Sequence, residues 1–107
     1  MVDFTRISVQ QAAEMLESGK AHLADIRDEG SFARGHVPNT MNVGNHNLAK
    51  FLDKVEDDHS ILVLCYHGVS SQGAAQYIAE QGFDQVYSVD GGFEGWATIF
   101  PDCVERG

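Results

Sequence analysis

The amino-acid sequence predicts an α/β domain in which helices cover both faces of a mostly parallel sheet. Short apolar segments alternate with helical patterns along the chain, and residues 61–64 are apolar without any polar alternation. A strand of that kind is typical of the centre of a parallel sheet, because helices cover both of its faces. The length of 107 residues allows one ordinary core and leaves no room for a second. We therefore expect one domain over residues 1–107.

The first predicted helix has signals at both ends. Its apolar residues recur at positions i, i+3, i+4 and i+7, which places them on one face. Ser8 and Gln11 are spaced as a capping box at its start, and Gly19 stands where a left-handed residue ends a helix. The apolar face consists of Val9, Ala12, Ala13 and Leu16.

Four later segments predict strands. Each is apolar, too short for a helix, and rich in β-branched or aromatic residues. The predicted strands cover residues 21–26, 41–43, 61–66 and 86–89.

Helices are predicted in the intervals between these strands and after the last one. A short helix is expected at residues 29–34, and Gly82 ends another at residues 72–81. Two more show the amphipathic spacing, and Pro101 stops the second of them. Their apolar faces consist of Leu48, Phe51, Leu52 and Val55, and of Phe93, Trp96, Ala97 and Phe100.

The charge of the chain argues against nucleic acid as a partner. Seven Lys and Arg against sixteen Asp and Glu give a formal net charge of −9 at pH 7. Proteins that hold phosphate backbones need the opposite sign.

The sequence also predicts a soluble protein of a reducing compartment. Its apolar runs are far shorter than the roughly 20 residues of a membrane helix, and no basic stretch followed by an apolar one marks the N-terminus. The two cysteines, Cys65 and Cys103, are too few for a disulfide framework. We therefore expect a cytoplasmic protein with no membrane partner.

One loop stands out as the candidate site. Ligands of open α/β sheets bind at the carboxyl ends of the strands, and a seven-residue loop joins the most apolar strand to the helix at residues 72–81. A cysteine there lies under a helix N-terminus, whose unpaired N–H groups favour anions and lower a thiol pKa. The loop consists of Cys65, Tyr66, His67, Gly68, Val69, Ser70 and Ser71.

The residues after the cysteine suit a thiolate cradle. Gly68 permits the positive φ that lets successive N–H groups converge on one anion. Ser70 and Ser71 are expected to cap the helix and to donate hydroxyl hydrogen bonds to the same anion.

Two other interpretations of the cysteine are weaker. Inert cysteines often fill cores after apolar strands, but core filling does not require a polar loop with Gly, His and two Ser. A metal site through Cys65 and His67 would have only two protein ligands, and no other Cys or His pair has matching spacing.

The loop and three further segments carry a resemblance that spans nearly the whole chain. A strand, then Cys-Tyr-His-Gly-x-Ser-Ser, then a helix resembles the active loop of the rhodanese family, in the version of its single-domain bacterial thiosulfate sulfurtransferases. The other matching segments are Asp25-Ile26-Arg27, Phe32-Ala33-Arg34-Gly35-His36-Val37-Pro38 and Val89-Asp90-Gly91-Gly92-Phe93-Glu94-Gly95-Trp96.

The resemblance implies a rhodanese-like domain with a five-stranded sheet and a sulfurtransferase without cofactor or metal. The donor would be thiosulfate, and Cys65 would carry the sulfur as a persulfide. The acceptor would be cyanide or a thiol, such as a small thiol or a thioredoxin-like protein. The six loop residues from Tyr66 to Ser71 would bind the substrate.

The chain departs from the family pattern at two places. Asn39 and Thr40 replace the usual Gly-Ala after the proline, and the active loop has none of the Arg or Lys found in many rhodaneses. Anion binding should therefore depend on backbone dipoles and hydroxyls, with His67 as the only side chain able to add charge. The nearest arginines, Arg34 and Arg106, are expected to lie far from the loop.

Two competing functions remain. A phosphatase or arsenate reductase can use a cysteine at a helix N-terminus, but needs an arginine where this chain has Ser71. A non-catalytic interaction module would be expected to have lost Cys65.

The other signature residues have structural interpretations. We expect Asp25 and Arg27 to form a loop-organising ion pair, with a role in substrate steering as the alternative, and His36 to be hydrogen-bonded. Gly91 and Gly92 predict a tight turn from strand to helix.

Overall fold

The computed structural model describes residues 3–106 and shows a five-stranded, fully parallel sheet in the order β1-β5-β4-β2-β3. This confirms the predicted fold class. The most apolar strand, β4, lies at the centre, as its lack of polar alternation predicted. The strands are β1 (Thr5–Ile7), β2 (Ala21–Asp25), β3 (Met41–Asn42), β4 (Ser60–Leu64) and β5 (Val86–Val89).

Five helices connect or follow the strands. The capping box of Ser8 and Gln11 is present at the start of the first helix, and Gly19 and Gly82 adopt the positive φ expected after helix ends. None of the helices within residues 3–106 is long and apolar enough to cross a membrane. The helices are α1 (Val9–Glu17), α2 (Glu29–Arg34), α3 (Leu48–Asp53), α4 (Ser70–Glu80) and α5 (Gly92–Ile99).

The two faces of the sheet bury separate apolar clusters, so helices pack on both. Successive residues of β4 alternate between them: Leu62 and Leu64 belong to the cluster under α1 and α5, while Ile61 and Val63 belong to the one under α3 and α4. All five residues of β4 are buried. Because β4 is packed on both faces, its carboxyl end gives the loop that follows a fixed position.

Strand β1 was not located from the sequence. It has only three residues, of which Thr5 and Arg6 are exposed, so it lacks the apolar run that marked the other strands. Its place in the sheet comes from pairing with β5, a contact between residues about eighty positions apart. Local pattern does not report such a pairing.

Hydrogen bonds hold the segment after α5 against the rest of the domain. His36 and Glu105 form an antiparallel bridge in which each N–H donates to the other's carbonyl at 2.8 Å. Trp96 Nε1 donates to the carbonyl of Cys103 at 3.0 Å. These hydrogen bonds hold the C-terminal segment beside α2 and α5.

Candidate active site

The loop of Cys65 to Ser71 lies at the carboxyl end of the central strand and leads into α4, as predicted. Cys65 directly follows β4 and is only 5% exposed. Helix α4 begins at Ser70, two residues earlier than the sequence indicated. The cysteine therefore lies beneath the first turn of an eleven-residue helix, where N–H groups have no partner within the helix.

The sulfur of Cys65 is surrounded by hydrogen-bond donors. The backbone N–H of Gly68 donates to Sγ at 3.0 Å, and Ser71 Oγ lies 3.3 Å from the same atom. Ser71 Oγ also lies 2.8 Å from Ser88 Oγ of β5, and both serines are fully buried. When the sulfur is a thiolate it can only accept, so Ser71 donates to it and is free to accept from Ser88.

These contacts act on the pKa of the Cys65 thiol. Burial raises the pKa of the thiol, whereas hydrogen bonds from the Ser71 hydroxyl and from the backbone N–H groups of Ser71, Gly68 and His67 lower it. The donors outweigh burial, and the net pKa lies below the ordinary thiol value. This is the direction that the helix N-terminus predicted.

Two glycines let the loop close tightly against the turn between β5 and α5. Gly68 has φ +89°, and a Cβ there would come within 2.7 Å of the backbone nitrogen of Gly91. Gly92 has φ +57°, and a Cβ there would lie 2.4 Å from the carbonyl oxygen of Cys65. Since neither backbone can yield easily, both positions require glycine.

The turn of Gly91 and Gly92 holds the loop from below. Phe93 N–H donates to the carbonyl of Cys65 at 2.8 Å, and Glu94 N–H donates to the carbonyl of Tyr66 at 3.1 Å. The first turn of α5 thus fixes the backbone on which the thiol stands, so the predicted turn also anchors the site.

Ser70 and Ser71 differ in a way that the sequence did not show. Neither side chain caps α4, whose N-cap residue is Val69 and whose start has no side-chain cap bond. Ser70 is exposed, whereas Ser71 is buried against the sulfur. The expectation that both serines cap the helix is therefore wrong, because α4 begins at Ser70 and both already lie within its first turn.

The remaining loop side chains point outward. Tyr66 and Val69 are 48% and 72% exposed. His67 is also exposed, and its Nδ1 lies 3.6 Å from a carboxylate oxygen of Glu94. Any positive charge on His67 therefore has a negative partner. The backbone N–H of His67 contributes to the lowered pKa of Cys65.

Asp25 and Arg27 form the expected ion pair at the carboxyl end of β2. Arg27 Nε and Nη2 donate to the carboxylate of Asp25 at 2.9 and 2.7 Å, and Nη2 also donates to the carbonyl of Gly35 at 2.8 Å. Both side chains are almost fully buried. The guanidinium lies 4.0 Å from the centre of the Phe93 ring, so the pair connects β2, α2 and α5.

His36 is hydrogen-bonded, as expected. Its Nδ1 lies 2.9 Å from the carbonyl oxygen of Phe32, and its ring stacks on that of Phe32 with centroids 4.0 Å apart.

A pocket beside the loop corrects the expectation about the arginines. Arg34 and Arg106 line the same pocket as Tyr66, so they do not lie far from the loop. Arg34 ends α2, and the bridge between His36 and Glu105 brings the C-terminal segment beside it. This proximity results from a pairing of residues 69 positions apart, which the sequence pattern did not reveal.

Ser88 is the site residue that sequence reasoning missed. It is the one small polar residue of β5, between Tyr87 and Val89, and it is fully buried. A buried hydroxyl needs a hydrogen-bond partner. A serine in an apolar strand therefore indicated that a polar group lies nearby. The partner is Ser71 on the helix that packs against β5.

Metal binding gains no support at the loop. Within residues 3–106, the group of side chains arranged to hold an ion consists of Glu56, Asp58 and His59. These residues precede β4, whereas Cys65 follows it, so the two groups lie at opposite ends of the strand.

Comparison with known proteins identifies the family. A family model described as the rhodanese-like domain matches residues 8–99. The chain belongs to the rhodanese family. It is 47% identical to a protein of Pseudoalteromonas translucida named thiosulfate sulfurtransferase GlpE, over 96% of this chain and 98% of the relative. It is 51% identical to a Vibrio cholerae protein of the same name, over 90% and 91% of the two chains.

Solved structures agree on the fold. The rhodanese-like domain of an Anabaena protein superposes with a TM-score of 0.79 at 21% identity, covering all of this chain and 81% of that one. A Rhodopseudomonas palustris protein described as a possible tyrosine phosphatase superposes with a TM-score of 0.75 at 21% identity, covering 90% and 81%. Both likenesses concern the fold, which by itself does not assign a reaction.

Proposed function

We propose that this rhodanese is a thiosulfate sulfurtransferase that carries sulfur as a persulfide on Cys65. The observation that carries the proposal is the sulfur of Cys65, held at a helix N-terminus by Gly68 N–H and Ser71 Oγ with its pKa lowered. Two relatives that are 47% and 51% identical to this chain are named thiosulfate sulfurtransferase, and that name supports thiosulfate as the donor.

In the first half-reaction, the Cys65 thiolate attacks the outer sulfur of thiosulfate. A bond forms between Sγ and that sulfur, the S–S bond of thiosulfate breaks, and sulfite leaves with the bonding electrons. The donors around Sγ stabilise the attacking thiolate before the step. The persulfide that results carries its negative charge on the outer sulfur, one bond from Sγ, and the positive potential of the α4 N-terminus favours that charge as well.

In the second half-reaction, a nucleophile attacks the outer sulfur of the persulfide. Cyanide or a thiolate takes this sulfur, and the Cys65 thiolate is restored. Donor and acceptor therefore meet the enzyme in separate steps, and the kinetics should be ping-pong. Tyr66 and Val69 flank the loop at the surface, where they can contact a small acceptor or a protein thiol such as one of the thioredoxin-like class.

Intact-mass spectrometry tests the proposal directly. After incubation with thiosulfate and removal of excess reagent, the chain should gain one sulfur atom, and cyanide should remove it with formation of thiocyanate. Cys103→Ser should gain the atom and Cys65→Ser should not. An unmodified wild-type chain under these conditions would contradict the persulfide mechanism.

The geometry does not favour phosphoryl transfer. Cysteine-dependent phosphatases need a guanidinium where this chain has Ser71, which is buried and bonded to Ser88. We expect no measurable hydrolysis of p-nitrophenyl phosphate under conditions where thiosulfate turns over. Release of phosphate that depends on Cys65, at a rate near that of sulfur transfer, would overturn the assignment.

A further inference from the structure

A pocket of about 290 Å³ lies beside the active loop, between α2, α5 and the C-terminal segment. Three of the four arginines of the chain line it: Arg27, Arg34 and Arg106. We call it the arginine pocket. A chain of net charge −9 has concentrated most of its guanidinium groups in one concave place.

The three arginines differ in how their charge is compensated. Arg27 is buried and bonded to Asp25, so its charge is already neutralised. Arg34 is exposed and donates to the hydroxyl of Ser31 at 3.2 Å. Within residues 3–106, the ion pairs closer than 4 Å involve neither Arg34 nor Arg106. Asp28 lies near Arg34 and is connected to it through the Ser31 hydroxyl, but no carboxylate pairs directly with either guanidinium in this part of the chain, so both groups can bind an anion.

The arginine pocket adjoins the active loop. Tyr66, which follows Cys65 in the chain, forms part of its wall. Phe93, which forms another part, donates its N–H to the carbonyl of Cys65. The pocket wall thus includes the residue that follows Cys65 in the chain and the residue that holds the Cys65 backbone.

The length of the pocket argues against thiosulfate as its ligand. The wall extends along α5 from Phe93 past Ala97 to Pro101, and one helical turn between the first two covers about 6 Å. In thiosulfate a single S–S bond separates the outer sulfur from the sulfonate. A thiosulfate ion placed for attack by Cys65 therefore cannot reach the end of the pocket at Pro101, whereas a longer anion can.

We propose that the arginine pocket binds the carboxylates of a small anionic thiol, which accepts sulfur from Cys65. The inference rests on the proposed function and names the acceptor class. A pocket of about 290 Å³ can hold a molecule the size of a short peptide but not a folded protein. In the step, the acceptor thiolate bonds to the outer sulfur of the persulfide, the bond from that sulfur to Sγ breaks, and the Cys65 thiolate leaves with the electron pair.

The test compares acceptors in a variant with two substitutions, Arg34→Gln and Arg106→Gln. Glutathione serves as the anionic probe, and its diethyl ester serves as a thiol without free carboxylates. Lys50→Gln, an exposed charge on α3, is the control for a general change in net charge. Steady-state assays give a separate KM for thiosulfate and for each acceptor.

The inference predicts that the KM for glutathione rises about five- to tenfold in the double variant, as expected for two exposed charge contacts. The KM for thiosulfate should stay unchanged, the KM for the diethyl ester should stay unchanged or fall, and Lys50→Gln should match the wild type. A rise in the KM for thiosulfate instead would assign the pocket to the donor and overturn the inference. Equal values in wild type and variant would also overturn it.

Mass spectrometry separates failure of this inference from failure of the proposed function. If the wild type forms the persulfide but glutathione does not remove the sulfur, the acceptor class is wrong and the sulfurtransferase assignment stands. If no persulfide forms, the proposed function is wrong and the inference falls with it.

Discussion

The two cysteines of the chain lie at opposite ends of helices. Cys65 precedes α4 and is buried beneath its N-terminal turn, whereas Cys103 follows the C-terminal end of α5 and is exposed. A helix presents unpaired N–H groups and positive potential at its N-terminus, and carbonyls with negative potential at its C-terminus. Position relative to a helix therefore distinguishes two residues of identical chemistry.

Burial alone would raise the pKa of Cys65. Removing a thiolate from water raises its pKa, so burial without the donors would leave Cys65 less ionised than a free thiol. The N–H of Gly68 and the hydroxyl of Ser71 reverse this effect. The hydrogen-bond donors, and not exposure, therefore account for the lowered pKa of Cys65.

The largest expected effect is on sulfur transfer. Cys65→Ser should lower the rate of thiocyanate formation by at least about a thousandfold, because a hydroxyl at this position is not a comparable nucleophile. Cys103→Ser should retain the wild-type rate. Equal losses in both variants would show that Cys103 takes part in turnover and would end the single-nucleophile mechanism.

The second prediction concerns the backbone that carries the cradle. Gly92→Ala would place a Cβ 2.4 Å from the carbonyl oxygen of Cys65 at a positive φ. We expect the free energy of unfolding to fall by about 2–4 kcal/mol in urea titration, because backbone must shift on both sides of the contact. Sulfur transfer should fall with it.

Gly73→Ala on α4 is the matched control for this substitution. A Cβ at Gly73 would have no neighbour within 4 Å, and its φ is not positive. Alanine there should raise the free energy of unfolding by about 0.5–1 kcal/mol, as in ordinary helices. Similar stability of the two variants would show that the contact between the loops is not tight.

The sequence was sufficient to predict the α/β class, the central strand, the ends of α1 and the cysteine at the start of α4. Each of these depends on local pattern: apolar periodicity, capping residues and a glycine at a fixed position. Strand β1, the partner Ser88 and the arginine pocket were not predicted. All three arise from contacts between distant segments, which a single sequence does not report.

The error about Ser70 and Ser71 has a different physical origin. The sequence indicated a helix start at Gln72, which would have left both serines outside the helix as caps. In the structure α4 begins at Ser70, so the side chain of Ser71 turns inward to Cys65 and Ser88. A shift of two residues in a helix boundary changed the role of both side chains.

The third prediction separates these two serines. Ser71→Ala removes a donor to the sulfur and leaves the buried Ser88 hydroxyl without this partner. The free energy of unfolding should fall by about 1–3 kcal/mol, and the pKa of Cys65 should rise. Ser70→Ala removes an exposed hydroxyl and should change stability by about 0.5 kcal/mol or less.

Urea titration and the pH profile of iodoacetamide alkylation measure the two consequences. In the wild type, alkylation of Cys65 should remain fast at pH values below the ordinary thiol pKa, and Ser71→Ala should move the profile to higher pH. If Ser70→Ala and Ser71→Ala gave the same profile, the backbone N–H groups alone would account for the lowered pKa.

The smallest effect is the pH dependence of stability that Cys65 contributes, since only one ionisation is involved. Its pKa is lower in the folded chain than in the unfolded chain, where a free thiol has a pKa of about 8.5. The stabilisation from the thiolate is therefore complete above the unfolded pKa, shrinks as the pH falls between the two values, and is lost below the folded pKa. The difference in unfolding free energy between wild type and Cys65→Ser should accordingly grow with rising pH through this window and then level off. A difference that shrinks with rising pH would mean that the donors around Sγ stabilise the thiol instead of the thiolate.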